Sequence, residues 1–237
     1  MRHPDHHPPT TIARGRGFSL IELLAVASIV SLLLVIAAPS FVSLNPSRKT
    51  GIHELAGFLE NARAEAIARR APRVVAFADE TFPSDTGALR AYALFEIEEP
   101  ESDGVPPRFR RLSPWRQLPE GIVFARSGSF EVAEGEAFRT LHDLAEKASF
   151  PVPGPGGAEN ATAKLPHLIF GPDGGVRSPR FHQADALHLG LVEGFFDPST
   201  TRVVYTAKRT SRSGRVLPNG ECLEIGFYTG RTRLLTD

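Results

Sequence analysis

Phe18-Ser19-Leu20-Ile21-Glu22-Leu23-Leu24-Ala25-Val26-Ala27-Ser28-Ile29-Val30-Ser31-Leu32-Leu33-Leu34-Val35-Ile36-Ala37-Ala38-Pro39-Ser40-Phe41 is the stretch from which the rest of the chain is read. Glu22 is its single charged residue. As a helix it is about 36 Å long, enough to cross a hydrocarbon core of about 30 Å. Residues 1–17 carry Arg2, Arg14 and Arg16 against Asp5, and no basic residue follows the stretch until Arg48. That bias holds the N-terminus in the cytoplasm and puts everything after about residue 44 outside. A cleaved secretory signal has an apolar core of only about 7–15 residues. A twin-arginine signal needs adjacent arginines, which Arg14-Gly15-Arg16 lacks. A plain signal anchor accounts for the length but not for Glu22. A carboxylate at that depth costs about 2.5–3.5 kcal/mol, and intramembrane charges are as a rule paired and functional.

Outward from this segment the chain is ordinary in bulk. It has 237 residues, with 27 Lys+Arg balancing 27 Asp+Glu, 41% hydrophobic and 23% charged residues. Those values exclude wholesale disorder and a nucleic-acid protein working through a global positive field. One cysteine excludes an intrachain disulfide, a cysteine-rich zinc site and an iron–sulfur cluster. Twenty prolines and 21 glycines favour turns over a helical bundle.

Pro39 and Pro46 interrupt the first helix. Ile52, Leu55, Leu59, Ala62 and Ala66 then recur at helical spacing and predict an amphipathic helix from about Thr50 to Arg70. After Pro72 the pattern turns to short β-branched and aromatic runs: 74–77, 91–97, 122–124, 167–170, 186–192, 202–205 and 222–228. Turn residues separate them, among them Gly171-Pro172-Asp173-Gly174-Gly175 and Thr229-Gly230. The expected fold class is α+β, a long N-terminal helix packed on an antiparallel β-sheet head. The expected divisions are a basic leader at 1–17, a membrane helix at 18–41, a stem helix at 42–71 and a β-rich head at 72–237. Residues 99–114 and 133–165 read as loop insertions in that head, the second with a short helix at Phe138–Lys147 and a Pro/Gly-rich loop at 151–157.

Gly17-Phe18-Ser19-Leu20-Ile21-Glu22-Leu23-Leu24 resembles the processing site of type IV prepilins and type II secretion pseudopilins. The resemblance implies a pilin-like fold and a defined fate. Prepilin peptidase cuts between Gly17 and Phe18 and methylates the new Phe18 amine. Glu22 becomes the fifth residue, and Pro39 falls where many pilins carry a helix-bending proline. The implied location is the bacterial cytoplasmic membrane, single-pass, with the head outside, before extraction into a filament. The implied partners are the peptidase, other pilin or pseudopilin subunits, the inner-membrane assembly platform and the lipid bilayer. Asn61–Arg70, the stretch from Trp115 to Phe124, the Phe170–Gly174 turn and Thr229-Gly230-Arg231 are similar to the H-type minor pseudopilins. Cys222 has no partner for the C-terminal disulfide common in major pilins, and no acidic calcium-binding cluster is evident, so a minor subunit is expected.

Enzyme chemistry finds little support. His182, Asp185 and His188 stand at three-residue steps, but Leu187–Leu191 reads as a strand, which breaks a helical metal face. His142-Asp143, Ser211 and Ser213 lack the spacing of a hydrolase site, and no Gly-x-Ser-x-Gly elbow exists. The glycines at 171–175 lack the Lys-Ser/Thr of a phosphate loop. His3, His6 and His7 fall in the leader, and Cys222 reads as a small core residue. No catalytic residue, metal or cofactor is therefore expected. Lys208, Arg209, Arg212 and Arg215 form a basic run on a hairpin loop, the candidate contact surface for an acidic partner and, less strongly, for nucleic acid.

Overall fold

The computed structural model of the chain describes residues 20–21, 24–29, 48–84, 86–98, 107–126, 140, 146–154, 161–178, 186–210 and 214–235. The chain divides into two units, Met1–Leu44 and Asn45–Asp237. In the first, the described residues are helical. Among the described residues no helix is long and apolar enough to cross a membrane. The membrane span expected at 18–41 lies largely outside them.

The second unit is α+β and opens with the helix Arg48–Arg69. Its apolar residues fall where the spacing predicts. Ile52, Leu55, Leu59 and Ala66 are completely buried, and Phe58 and Ala62 nearly so. Each fully buried leucine or isoleucine contributes about 1.5–3 kcal/mol of hydrophobic free energy. The helix stops by a Schellman closure. Arg70 N–H donates to the Ile67 carbonyl and Ala71 N–H to the Ala66 carbonyl, both at 3.2 Å. Arg70 takes the left-handed conformation at φ 51° that this closure requires.

Fourteen described strands follow, in three antiparallel sheets. The first sheet runs β3 (Arg108–Arg111), β2 (Ala91–Glu98), β1 (Arg73–Phe77), β7 (Ala161–Phe170), β6 (Lys147–Val152). β4 (Arg116–Gln117) pairs with β2, and β8 (Val176–Ser178) with β7. The second sheet runs β10 (Arg202–Tyr205), β9 (Ala186–Asp197), β13 (Gly220–Gly226), β14 (Thr232–Leu235), with β5 (Ile122–Phe124) also on β9. β11 (Lys208–Thr210) and β12 (Val216–Pro218) form a separate ribbon.

The period-two alternation of strand side chains sorts the core into layers. Val75, Phe77, Leu168 and Phe170 of the first sheet and Leu189, Leu191, Leu223 and Ile225 of the second share one cluster with the helix. The opposite set of the first sheet, Val74, Ala76, Ala93 and Phe95, packs with Phe150, Val152 and Leu165. This sheet curls until β3 meets β6, and the rings of Phe109 and Phe150 stand 4.4 Å apart. β1 is consequently buried along its whole length. A third cluster joins Val123, Val192 and Cys222 to Phe196, Val203, Tyr205 and Leu235.

Four expectations need correction. The helix expected at Phe138–Lys147 does not extend to its end: Lys147 opens strand β6, and Thr140 makes an isolated bridge to His188. The stretches expected as insertions, 99–114 and 133–165, contain β3, β6 and the start of β7. Pro151, expected in a loop, lies inside β6, paired with Thr162. β6 is the terminal strand of its sheet, where a missing N–H is tolerated, while Phe150 and Val152 turn into the core. Lys208–Thr210 is likewise paired strand and not loop.

Candidate functional site

The first candidate surface is the N-terminal segment. Leu20 is 82% exposed and Ile21 77%, and Leu24, Val26 and Ile29 are each more than half exposed. Exposed apolar side chains in such a run are unfavourable in water. Ser28 Oγ donates to the Leu24 carbonyl at 2.8 Å, satisfying its hydroxyl within the helix, which suits an apolar medium. Gly17, Phe18, Glu22 and Pro39 lie outside the described residues.

The second site is a lock between helix and hairpin, and sequence reasoning singled out its parts without joining them. Arg63 Nε donates to the Thr229 carbonyl at 2.6 Å. Glu60 Oε1 accepts from both Thr232 N–H, at 2.8 Å, and Thr232 Oγ1, at 3.0 Å. Glu60 also faces Arg63 at 3.5 Å, so the pair is oriented together. Gly174 (φ 82°) and Gly230 (φ 61°) both need the left-handed region. A Cβ on Gly174 would come 2.8 Å from Ile67 Cδ1, and one on Gly230 would strike the Gly174 carbonyl. Val176 N–H donates to the Phe227 carbonyl at 2.7 Å, stitching the 171–175 turn to the C-terminal hairpin. The glycines of this turn therefore serve close backbone approach. The helix end, the Phe170–Gly174 turn and Thr229-Gly230-Arg231 are one structural unit.

The third is the basic ribbon. Lys208 and Arg209 lie in β11, and Arg215 directly precedes β12. Arg212 lies outside the described residues. Arg202 in β10 adds a further exposed cation that the sequence reading left out. Its signal was the alternation Arg202-Val203-Val204-Tyr205, in which every second residue faces out.

Of the remaining candidates, His188 and Cys222 lie among the described residues. His188 lies in β9, its Nε2 4.0 Å from Glu224 Oε2, while His182 and Asp185 lie outside the described residues. His142, Asp143, Ser211 and Ser213 lie outside them too, as do His3, His6 and His7. Among the described residues no group of three or more His, Cys, Asp or Glu could hold a metal. Cys222 is buried on β13, and burial pushes its thiol up to about 12, against any nucleophilic use near neutrality. Asp79 is buried but satisfied by Lys147 at 2.6 Å and by Thr81, a structural ion pair.

Residues 12–38 match the family model described as the prokaryotic N-terminal methylation motif. No curated protein matches the sequence. Two crystal forms of the type IV minor pilin FimU of Pseudomonas aeruginosa (strain PAO1) are similar to 79% of this chain at 14% identity. They are matched over 87% and 92% of their own length, with TM-scores of 0.37 and 0.36. A likeness this distant bears no weight, and the α+β architecture stands on the strands and helix described above. The resemblance read from Gly17 to Leu24 rests instead on the matched motif: residues 12–38 of this chain carry the prokaryotic N-terminal methylation motif.

Proposed function

We propose that this chain is a minor subunit of a type IV pilus or type II secretion pseudopilus. The single observation that carries the proposal is the methylation motif at residues 12–38, with Gly17, Phe18 and Glu22 in their expected places. Prepilin peptidase cuts between Gly17 and Phe18 on the cytoplasmic side and methylates Phe18. Residues 18–41 hold the protein in the inner membrane, with the head outside. On assembly the apolar helix leaves the lipid for the bundle of helices at the filament axis.

Glu22 gives this step its register. The Phe18 amine is a cation beside the apolar layer, and Glu22 is an anion within it. Each supplies the partner the other lacks when they come from neighbouring subunits. The role is structural and not enzymatic. An H-type subunit placed near the tip, priming assembly, fits the minor-subunit features of the sequence.

The test is the N-terminal mass of the protein recovered from membranes of cells with an active prepilin peptidase. A methylated Phe18 terminus is expected. An intact Met1 terminus would sink the proposal and leave a signal anchor.

A second reading is favoured by the basic ribbon. The anchored head acts as a binding module, recognising DNA, a surface or a secreted substrate through Lys208, Arg209, Arg212 and Arg215. Charge reversal there that spares assembly but abolishes binding supports it.

A further inference from the structure

We propose that the edge strand β10 takes up an extended acidic segment of a partner polypeptide, by strand addition. This deepens the second reading, the binding head, and does not depend on how the N-terminus is processed.

Several observations meet at this strand. β10 ends the second sheet, and among the described residues its one strand partner is β9. Register pairs Arg202 with Asp197 and Val204 with Phe195. These four share one face, while Val203 packs with Phe196 and Tyr205 into the core cluster beneath. On the outer face Phe195 is 49% exposed and Val204 40% exposed, so an apolar cross-strand pair stands open to solvent. A shallow cleft lies over the same strand, lined by Arg202, Val203, Val204, Tyr205 and Lys208 among others. Sheet edges with open backbone groups are templates for another strand unless something blocks them. β10 has no proline or bulge to block it.

Charge selects the occupant. From Pro198 to Pro218 the chain holds Arg202, Lys208, Arg209, Arg212 and Arg215 and no acidic residue, within a protein of zero net charge. An added strand whose side chains alternate acidic and apolar would set its apolar residues on Phe195 and Val204. Its carboxylates would meet Arg202 and Lys208. Main-chain hydrogen bonds then provide affinity and the alternate side chains specificity.

The other anionic partners fit less well. A membrane would be entered by the tip of the β9–β10 hairpin, which is Pro198-Ser199-Thr200-Thr201 and polar, while the apolar pair sits along its flank. A duplex nucleic-acid backbone offers phosphates but no apolar group for the open Phe195–Val204 pair.

The experiment uses the full chain in detergent micelles and a fluorescent peptide of about eight residues alternating glutamate and valine, read by anisotropy. Saturable binding is expected, weakened at least about tenfold by Arg202→Glu with Lys208→Glu. Phe195→Ser, at an exposed site, should weaken it about fivefold while circular dichroism stays unchanged. Strand addition further requires that a peptide of the same residues in two blocks bind at least about tenfold more weakly, and likewise one with alternate backbone amides methylated. Equal binding of alternating and block peptides would overturn the proposal. So would no peptide binding alongside capture of duplex DNA or phosphatidylglycerol vesicles lost in the same charge reversal. Peptide failure with charge-reversible DNA capture would leave the broader binding-head reading standing, whereas loss of all three would remove both.

Discussion

Gly230 shows how much can rest on one residue. Its φ of 61° lies in the left-handed region, and a Cβ there would drive into the Gly174 carbonyl. Both partners are backbone, so neither can swing aside. Gly230→Ala should destabilise the head by about 2 kcal/mol or more, read as a lower thermal midpoint. His167 is a residue of the opposite kind, tolerated rather than required. It is 8% exposed, its ring faces Phe150 at 5.6 Å and Phe109 at 6.4 Å, and its Nδ1 is buried without a hydrogen-bond partner. Burial pushes its imidazole pKa down, against the weaker upward pulls of the Leu165 carbonyl and Glu146. Because the folded value lies below the unfolded one, the unfolded chain binds the extra proton first as pH falls. This histidine's contribution therefore weakens stability progressively below the usual histidine value of about 6.5. His167→Phe should flatten that part of the stability–pH curve, measured by denaturant titration from about pH 7 to pH 5. An unchanged curve would show that His167 is not the group responsible.

At the scale of elements, the helix Arg48–Arg69 was legible because five apolar residues recur at helical spacing and all five are buried against both sheets. Its end falls one residue short of the expected Arg70. The Schellman closure asks for glycine, and the chain supplies Arg70 at φ 51°. Arg70→Gly should stabilise the head by about 1 kcal/mol by relieving the left-handed penalty, measured by chemical denaturation. The strands at 73–77, 91–98 and 122–124 announced themselves by β-branched and aromatic content. β6 did not. Lys147-Ala148-Ser149-Phe150-Pro151-Val152 has helix-tolerant residues at its start and a proline near its end. What makes it a strand is pairing with β7 and the burial of Phe150 and Val152, a tertiary gain that outweighs weak local preference. The same holds for β11, a basic run by composition that is strand because it pairs with β12.

At the scale of the whole molecule, the two units carry different work. Met1–Leu44 holds the methylation motif and the exposed apolar helix residues, and Asn45–Asp237 holds the folded head. The decisive assembly prediction belongs to the first. Glu22→Ala should still insert and be cleaved, but its incorporation into filaments should fall at least about tenfold, equivalent to about 1.4 kcal/mol of lost pairing. Immunoblotting of sheared filaments against membrane fractions measures it, and normal incorporation would end the pairing account.

By itself the sequence determined the methylation motif, the apolar segment with its lone carboxylate, the helix that follows and the α+β class. Each is written in local order: a charge bias, a run of hydrophobic residues, a period of 3.6 or of 2. The tertiary structure alone decided which distant pieces meet. Glu60 and Thr232 stand 172 positions apart, and Arg63 and Thr229 stand 166 apart. Nothing in either neighbourhood announces its partner. Phe195 and Val204 likewise read as ordinary strand residues until the register shows them paired on an open face. Local periodicity states which side of an element is apolar. What that side is pressed against, and whether anything covers it, depends on chain segments that no local window contains.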